Sequence, residues 1–262
     1  MTPERSASNR PDPGTPVFYG RRHGRRLRRQ PAENLEWGLD HYGIDADTVE
    51  CAAALPPQAL FNDEPDREDR PVFLEIGFGG GEHLAARAEE SPGACFIGAE
   101  PFMNGVAGLC GHIRQRGLTN IRIWPEDVRL FLPLLPDACL DGAFILFPDP
   151  WPKFRHRERR ILQPVMIDQL ARLIRPGGEL LLASDDATAK TWLLQSMLGT
   201  DDFAWQARRP VDWRQPPPGW PGTRYMAKAE KAGRRSAWFL YRRVDGGNRR
   251  LTPGGTGAGR GR

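Results

Sequence analysis

An α/β domain built on a mainly parallel sheet is predicted for most of this 262-residue chain. Three observations predict it. From Pro71 onward, apolar runs of strand length alternate with helical stretches, the pattern of βαβ units. A glycine-rich turn lies between the first such strand and the first helix. The run Gly142-Ala143-Phe144-Ile145-Leu146-Phe147 has no polar alternation, so it reads as a central strand covered on both faces.

Taken in order, residues 1–60 read as a basic, Pro-rich, largely flexible arm, with one helical candidate near Ala32 to Tyr42. Within it, Gly20 to Arg29 reads GRRHGRRLRR, six arginines with no acid among them. Such blocks bind polyanions or serve as solvated tails. Residues 61–70 (FNDEPDREDR) form an acidic connector, and the main domain is expected over 61–245. Strands are predicted at Val72–Ile76, Ala94–Ala99, Ile121–Trp124, Leu140–Phe147, Glu179–Ser184, Phe203–Ala207 and Ala237–Arg243. Between the fourth and fifth, Ile161, Leu162, Val165, Met166, Leu170, Leu173 and Ile174 repeat at helical spacing. That helix should stop at Arg175-Pro176-Gly177-Gly178, a breaker followed by a strand. Residues 246–262 are low in complexity and read as a disordered Gly/Arg tail.

Composition narrows the class. Hydrophobic residues make up 39% and charged residues 27%, as in soluble globular proteins. No apolar run approaches the roughly 20 residues that span a bilayer, and no apolar core follows the N-terminal charges as in a secretory signal. A cytoplasmic location is expected. Cys51, Cys95, Cys110 and Cys139 are widely spaced with no C-x-x-C pair, which points to reduced, packed thiols and to no metal site.

The first chemical motif is Leu74-Glu75-Ile76-Gly77-Phe78-Gly79-Gly80-Gly81-Glu82. Glycines between a strand and a helix let the backbone turn tightly and approach a ligand. A dinucleotide site wants G-x-G-x-x-G or G-x-G-x-x-A, but the sixth position from Gly77 is Glu82, whose charge would repel a pyrophosphate. S-adenosylmethionine has no phosphate. Its ammonium, cationic sulfur and ribose hydroxyls favour acidic acceptors, and this chain supplies them at successive strand ends. Glu75 closes the first strand. Glu100 ends the second, where a carboxylate can accept both ribose hydroxyls. Asp127 follows the third, placed to accept from the adenine amine. All three fall on the carboxyl edge of the predicted sheet, where open α/β sheets bind ligands. With Gly77 and Gly79 they make a predicted cofactor site.

The second motif, Phe147-Pro148-Asp149-Pro150-Trp151-Pro152-Lys153, follows the most buried strand. Three prolines in five residues exclude helix and give a stiff loop that holds Asp149 at the strand tip. Lys153, Arg155, His156, Arg157, Arg159 and Arg160 come next. The bland alternative is a rigid linker with a solvated basic turn; the functional one sets an acid and phosphate-binding cations together at the catalytic edge. Trp151 is equally compatible with base stacking and with a place in the core.

The LEIGFGGG loop, the Pro-Asp-Pro-Trp-Pro-Lys loop and the following Arg-His-Arg-x-Arg-Arg resemble the bacterial tRNA (guanine-N7)-methyltransferases. The resemblance covers roughly Gly20 to Arg243. It implies a Rossmann-like class I methyltransferase fold: a seven-stranded, mainly parallel sheet, helices on both faces and an antiparallel last strand. It implies S-adenosylmethionine as cofactor and tRNA as partner, with a variable-loop guanosine as target. Glu75, Glu100, Asp127 and Asp149 match the family's cofactor-contacting acids, and Asp149 its catalytic position. Lys153, Asp185, Thr223, Arg224, Tyr225 and Met226 match substrate-contacting positions. The chain departs from the family pattern at Met226, where an acid is expected. Other readings are a methyltransferase of exocyclic base amines or protein amides, an RNA-binding scaffold without chemistry, and, least favoured, a nicotinamide dehydrogenase.

Overall fold

The computed structural model describes residues 20–45, 56–61, 69–222, 226, 229 and 231–245. Thr223, Arg224 and Tyr225, the first 19 residues and the predicted tail after Asp245 lie outside this set. Seven strands form one sheet: β1 (Val72–Ile76), β2 (Cys95–Ala99), β3 (Ile121–Trp124), β4 (Leu140–Leu146), β5 (Ile174–Ser184), β6 (Phe203–Trp205) and β7 (Ala237–Arg243). Their order is β3-β2-β1-β4-β5-β7-β6. The pairs β1–β2, β2–β3, β1–β4 and β4–β5 are parallel, and β7 runs antiparallel to both β5 and β6. The chain steps from β1 outward to β2 and β3, then crosses back to β4. That leaves a topological switch point between β1 and β4, the usual place for a ligand crevice.

Helices cover both faces. On one lie α1 (Arg29–Tyr42), α2 (Glu82–Glu90) and α3 (Met103–Arg116); on the other lie α4 (Val128–Phe131), α5 (Pro164–Leu173) and α6 (Ala187–Met197). A single turn, α7 (Val211–Arg214), precedes the C-terminal strand. Alternation along β1 sorts its side chains between the layers. Val72, Leu74 and Ile76 join the core beneath α4–α6, while Phe73 packs with the α2–α3 layer, stacked between Phe96 and Phe144. By the same parity Glu75 is turned toward α2.

Most boundaries follow the sequence reading within one or two residues. β5 is the exception, because it starts at Ile174 and not after the Arg175–Gly178 breaker. Ile174 pairs with Leu140 and Glu179 with Gly142, so Arg175–Gly178 is carried as a bulge, with Gly177 at φ 79°. The helix before it begins at Pro164, three residues later than the apolar repeat suggests; proline suits the first helical position, where its missing N–H costs nothing.

Part of the segment read as an arm is docked. Along α1, Gly38 is buried against α3, where a Cβ would meet the Cys110 sulfur at 2.3 Å. Gly38 therefore costs the helix about 1 kcal/mol in propensity but permits a close crossing. Ahead of α1, the Met103 amide donates to Arg22 O, Gly24 N–H to Asn104 Oδ1, and Asn104 Nδ2 to Arg25 O. Residues 22–25 thus lie along the start of α3.

Candidate active site

The glycine loop is shaped by backbone that only glycine adopts freely. Gly77, Gly79 and Gly81 have φ of 73°, 57° and 78°. Helix α3 presses on it so closely that a Cβ on Gly105 would sit 2.2 Å from the Gly79 carbonyl oxygen. On Gly77, by contrast, a Cβ would meet nothing within 4 Å, so that side of the loop faces open space. There a cleft open to solvent is lined by Glu75, Gly77, Phe78, Glu82, His83, Leu146, Phe147 and Trp220.

Glu75 is 2% exposed, and its Oε2 accepts a 2.7 Å hydrogen bond from His83 Nδ1 on the first turn of α2. Burying a carboxylate is costly unless it is paired, and His83 is that partner. Glu100 follows β2 at the far side of the loop. Its two oxygens accept from the Phe102 and Gly79 amides, both at 2.9 Å. Burial pushes the Glu100 carboxyl above its ordinary 4.5; the two amide bonds pull it down, and the charges of Asp149 and Glu75 push it up. Glu75 lines the cleft beside Gly77, whereas Glu100 and Asp149 lie outside its lining.

Asp127 is placed differently. It caps α4, accepting from the Arg129 amide at 2.9 Å, and the Arg129 guanidinium closes on its other oxygen at 2.5 Å. Its neighbour Glu126 is paired with Arg22, which brings the basic segment to the β3 end of the sheet edge.

The proline-rich loop leaves β4 through two non-glycine residues in left-handed backbone, Phe147 at φ 51° and Trp151 at φ 38°. Such conformations cost about 1–3 kcal/mol each and persist only where the surroundings impose them. Here Phe147 N–H donates to Ala183 O at 2.8 Å, and Trp192 Nε1 of α6 holds Pro150 O at 3.0 Å. Between these anchors Asp149 is exposed at the tip. Trp151 is half-buried, with the Arg159 guanidinium 5.0 Å from its ring centroid, so it is neither a core residue nor a free ring. Lys153, Phe154, Arg155 and Arg157 are exposed on the next turn. Partial burial, with Arg159, Arg155 and Lys153 nearby, holds the His156 imidazole below its usual range.

Of the positions matched to substrate contact, Lys153 lies on this exposed turn. Asp185 lies just past β5 and receives Arg234 Nε at 2.6 Å. Met226 is half-buried, its sulfur receiving Trp220 Nε1 at 3.0 Å. Thr223, Arg224 and Tyr225 fall outside the described residues. Sequence reasoning passed over His83 and Trp220. The available signal was a carboxylate inside a strand followed eight residues later by a histidine on the next helix.

The chain resembles known proteins along nearly its whole length. A family model described as "Putative methyltransferase" matches residues 69–238. A Rhodospirillum rubrum protein named tRNA (guanine-N(7)-)-methyltransferase is 44% identical over 245 residues, covering 92% of this chain and 94% of its own length. Identically named proteins of Mesorhizobium japonicum and Agrobacterium fabrum are 44% and 42% identical, covering 90% and 92% of this chain and 98% and 99% of their own. With likeness of this degree along nearly its whole length, the chain belongs to the tRNA (guanine-N7)-methyltransferase family.

Proposed function

We propose that this protein transfers a methyl group from S-adenosylmethionine to N7 of a guanosine in tRNA, in the variable loop, giving 7-methylguanosine. The observation that carries this reading is a cleft beside the glycine loop lined by Glu75 and Glu82, with Glu100 held on the Gly79 amide and Asp149 exposed at the tip of the loop after β4. The cleft's donor set fits the cofactor. Glu75 and Glu82 are acceptors suited to an ammonium and a sulfonium, and among the described residues that line it there is no lysine or arginine to favour a phosphate.

When bound, the cofactor supplies a methyl electrophile on a cationic sulfur. Glu75 would accept from its ammonium, and Glu100 from the ribose hydroxyls through lone pairs not used by the Gly79 and Phe102 amides. Asp127 would accept from the adenine amine only through lone pairs it does not share with Arg129. Guanine N7 has an in-plane lone pair and no proton, so no base is needed there. Transfer to N7 would make the N7–C bond as the S–C bond breaks, moving positive charge from sulfur to the purine. Asp149 either orients guanine through N1–H and its amino group or offsets that charge; alignment and electrostatics supply the rate. Lys153, Asp185 and residues 223–226 hold the nucleotide. Met226 offers a thioether already engaged by Trp220 where the family pattern has an acid, so catalysis is assigned to Asp149 alone.

The cations at 153–160 and 21–29 bind tRNA phosphates. Titration of the protein with S-adenosylmethionine by calorimetry, followed by methylation of unmodified tRNA, tests the reading. Saturable binding and formation of 7-methylguanosine are expected; a different methylated nucleoside would refute the assignment.

A further inference from the structure

We infer that His83 is a positioning residue for the cofactor's amino acid end, acting through Glu75. The inference rests on the cofactor reading above and adds a residue to it.

The geometry is specific. Parity along β1 turns Glu75 into the α2 layer, between Gly98 of β2 and Phe144 of β4 in register. Neither neighbour can hydrogen-bond its carboxylate from a side chain. His83, 5% exposed, supplies that contact at 2.7 Å. The ring is fixed from two sides. Phe144 meets it edge-on with centroids 5.2 Å apart, and Trp220 lies over it at 4.6 Å with planes 32° apart. Both Phe144 and Trp220 are large, and Trp220 is itself held against Trp238 at 6.0 Å. The imidazole is therefore locked before any ligand arrives.

Hydrogen bonding assigns the proton. A carboxylate only accepts, so Nδ1 is the donor. Nε2 is buried with no partner among the described residues, which suits the lone pair of a neutral ring better than an N–H would. A ring donating through Nδ1 holds one carboxylate oxygen of Glu75 in place. The other oxygen is then fixed on the cleft, where it can meet an ammonium. His83 and Glu75 both line that cleft. A histidine that merely filled space would not need this bond, and a phenylalanine would pack between Phe144 and Trp220 as well.

That difference is the test. Full-length His83→Phe keeps the aromatic packing and removes the donor; His83→Asn returns an N–H near the Nδ1 position. Calorimetry on each variant should show His83→Phe weakening S-adenosylmethionine and S-adenosylhomocysteine by about tenfold or more, as for loss of one hydrogen bond to a charged group. Binding of 5′-methylthioadenosine, which lacks the amino acid end, should stay within about twofold. His83→Asn should recover most of the loss. With tRNA, KM for the cofactor should rise while kcat moves less than about threefold. In a Glu75→Gln background, His83→Phe should add nothing further, a result that holds even if one single variant is less stable. Unchanged S-adenosylmethionine affinity in His83→Phe would overturn the inference, as would equal losses for all three ligands or no recovery with asparagine. If the wild-type protein itself binds no S-adenosylmethionine, it is the proposed function that fails.

Discussion

Neutralising the basic segment ahead of α1 should remove a defined part of the salt dependence of tRNA binding. Six arginines lie between Gly20 and Arg29, but the structure sorts them. Arg22 is paired with Glu126, and Arg29 with Glu33 at 2.7 Å. Arg21, Arg25, Arg26 and Arg28 are exposed, on a backbone anchored to Asn104 at both Gly24 and Arg25. If these four meet phosphates, they contribute a slope of about −3 in log affinity against log salt. Between 50 and 200 mM salt that component alone is worth roughly 60-fold in affinity. The variant Arg21→Gln/Arg25→Gln/Arg26→Gln/Arg28→Gln should therefore bind tRNA weakly at low salt, with a slope shallower by about 3 units. Its affinity for S-adenosylmethionine should match wild type, because Arg22 and its contact with Glu126 are kept. Filter binding across a salt series measures the slope, and calorimetry measures cofactor affinity. A slope unchanged by the four substitutions would refute the phosphate-clamp argument, whatever happened to absolute affinity.

Other expectations follow from particular contacts. In the proposed site Glu100 would bind ribose hydroxyls as a carboxylate, and burial raises its pKa above 4.5. Cofactor affinity should thus fall on acidification starting above the ordinary carboxylate range, while the stability contribution of this group runs the other way, greatest at low pH and lost as pH rises through the raised pKa. Calorimetric titrations across a pH series check the first part; Glu100→Ala should abolish the dependence along with most of the affinity. Gly105→Ala should destabilise the fold by about 1–3 kcal/mol by overpacking and weaken cofactor binding, although alanine is the better helix former; the Cβ would lie 2.2 Å from Gly79 O. A chemical melt showing a more stable variant would contradict that packing. Asn120 is 4% exposed and its amide donates to the carbonyls of Ala88, Ser91 and Ala94 at 2.9–3.1 Å. Asn120→Ala should cost about 1–3 kcal/mol in the same assay, because the Ala88 and Ala94 carbonyls lose a buried donor while Ser91 O keeps the Ala94 amide.

Much of this architecture was legible because sheet strands carry their periodicity locally. The apolar run at 142–147 could only be a covered strand, and β4 lies at the centre of the sheet between β1 and β5. The three acids at strand ends were legible for the same reason, since Glu75 lies near the end of a strand pattern and Glu100 and Asp127 follow one by position alone. What they bond to was not. Asp127 is shared with Arg129, and Asp185 with Arg234, which is 49 residues away in sequence. The role of His83 depends on which layer Glu75 faces, a matter of strand parity and of how α2 docks. The Arg175–Gly178 bulge escaped because proline and glycine break helices and interrupt strands alike; only the pairing of Ile174 with Leu140 shows that the strand resumes across it. Docking of α1 turns on Gly38 meeting Cys110, a contact between residues that carry no local signal for each other.

The most direct measurement is methyl transfer from labelled S-adenosylmethionine to unmodified tRNA, with nucleoside analysis of the product and Asp149→Ala run in parallel. Asp149 is exposed at the tip of an anchored loop, so its removal should leave the fold and tRNA binding intact. The account predicts 7-methylguanosine from the wild-type protein and at least a hundredfold slower formation from the variant, roughly the cost of losing one preorganised electrostatic contact. Methylation at another atom, or an Asp149→Ala variant as fast as wild type, would contradict it.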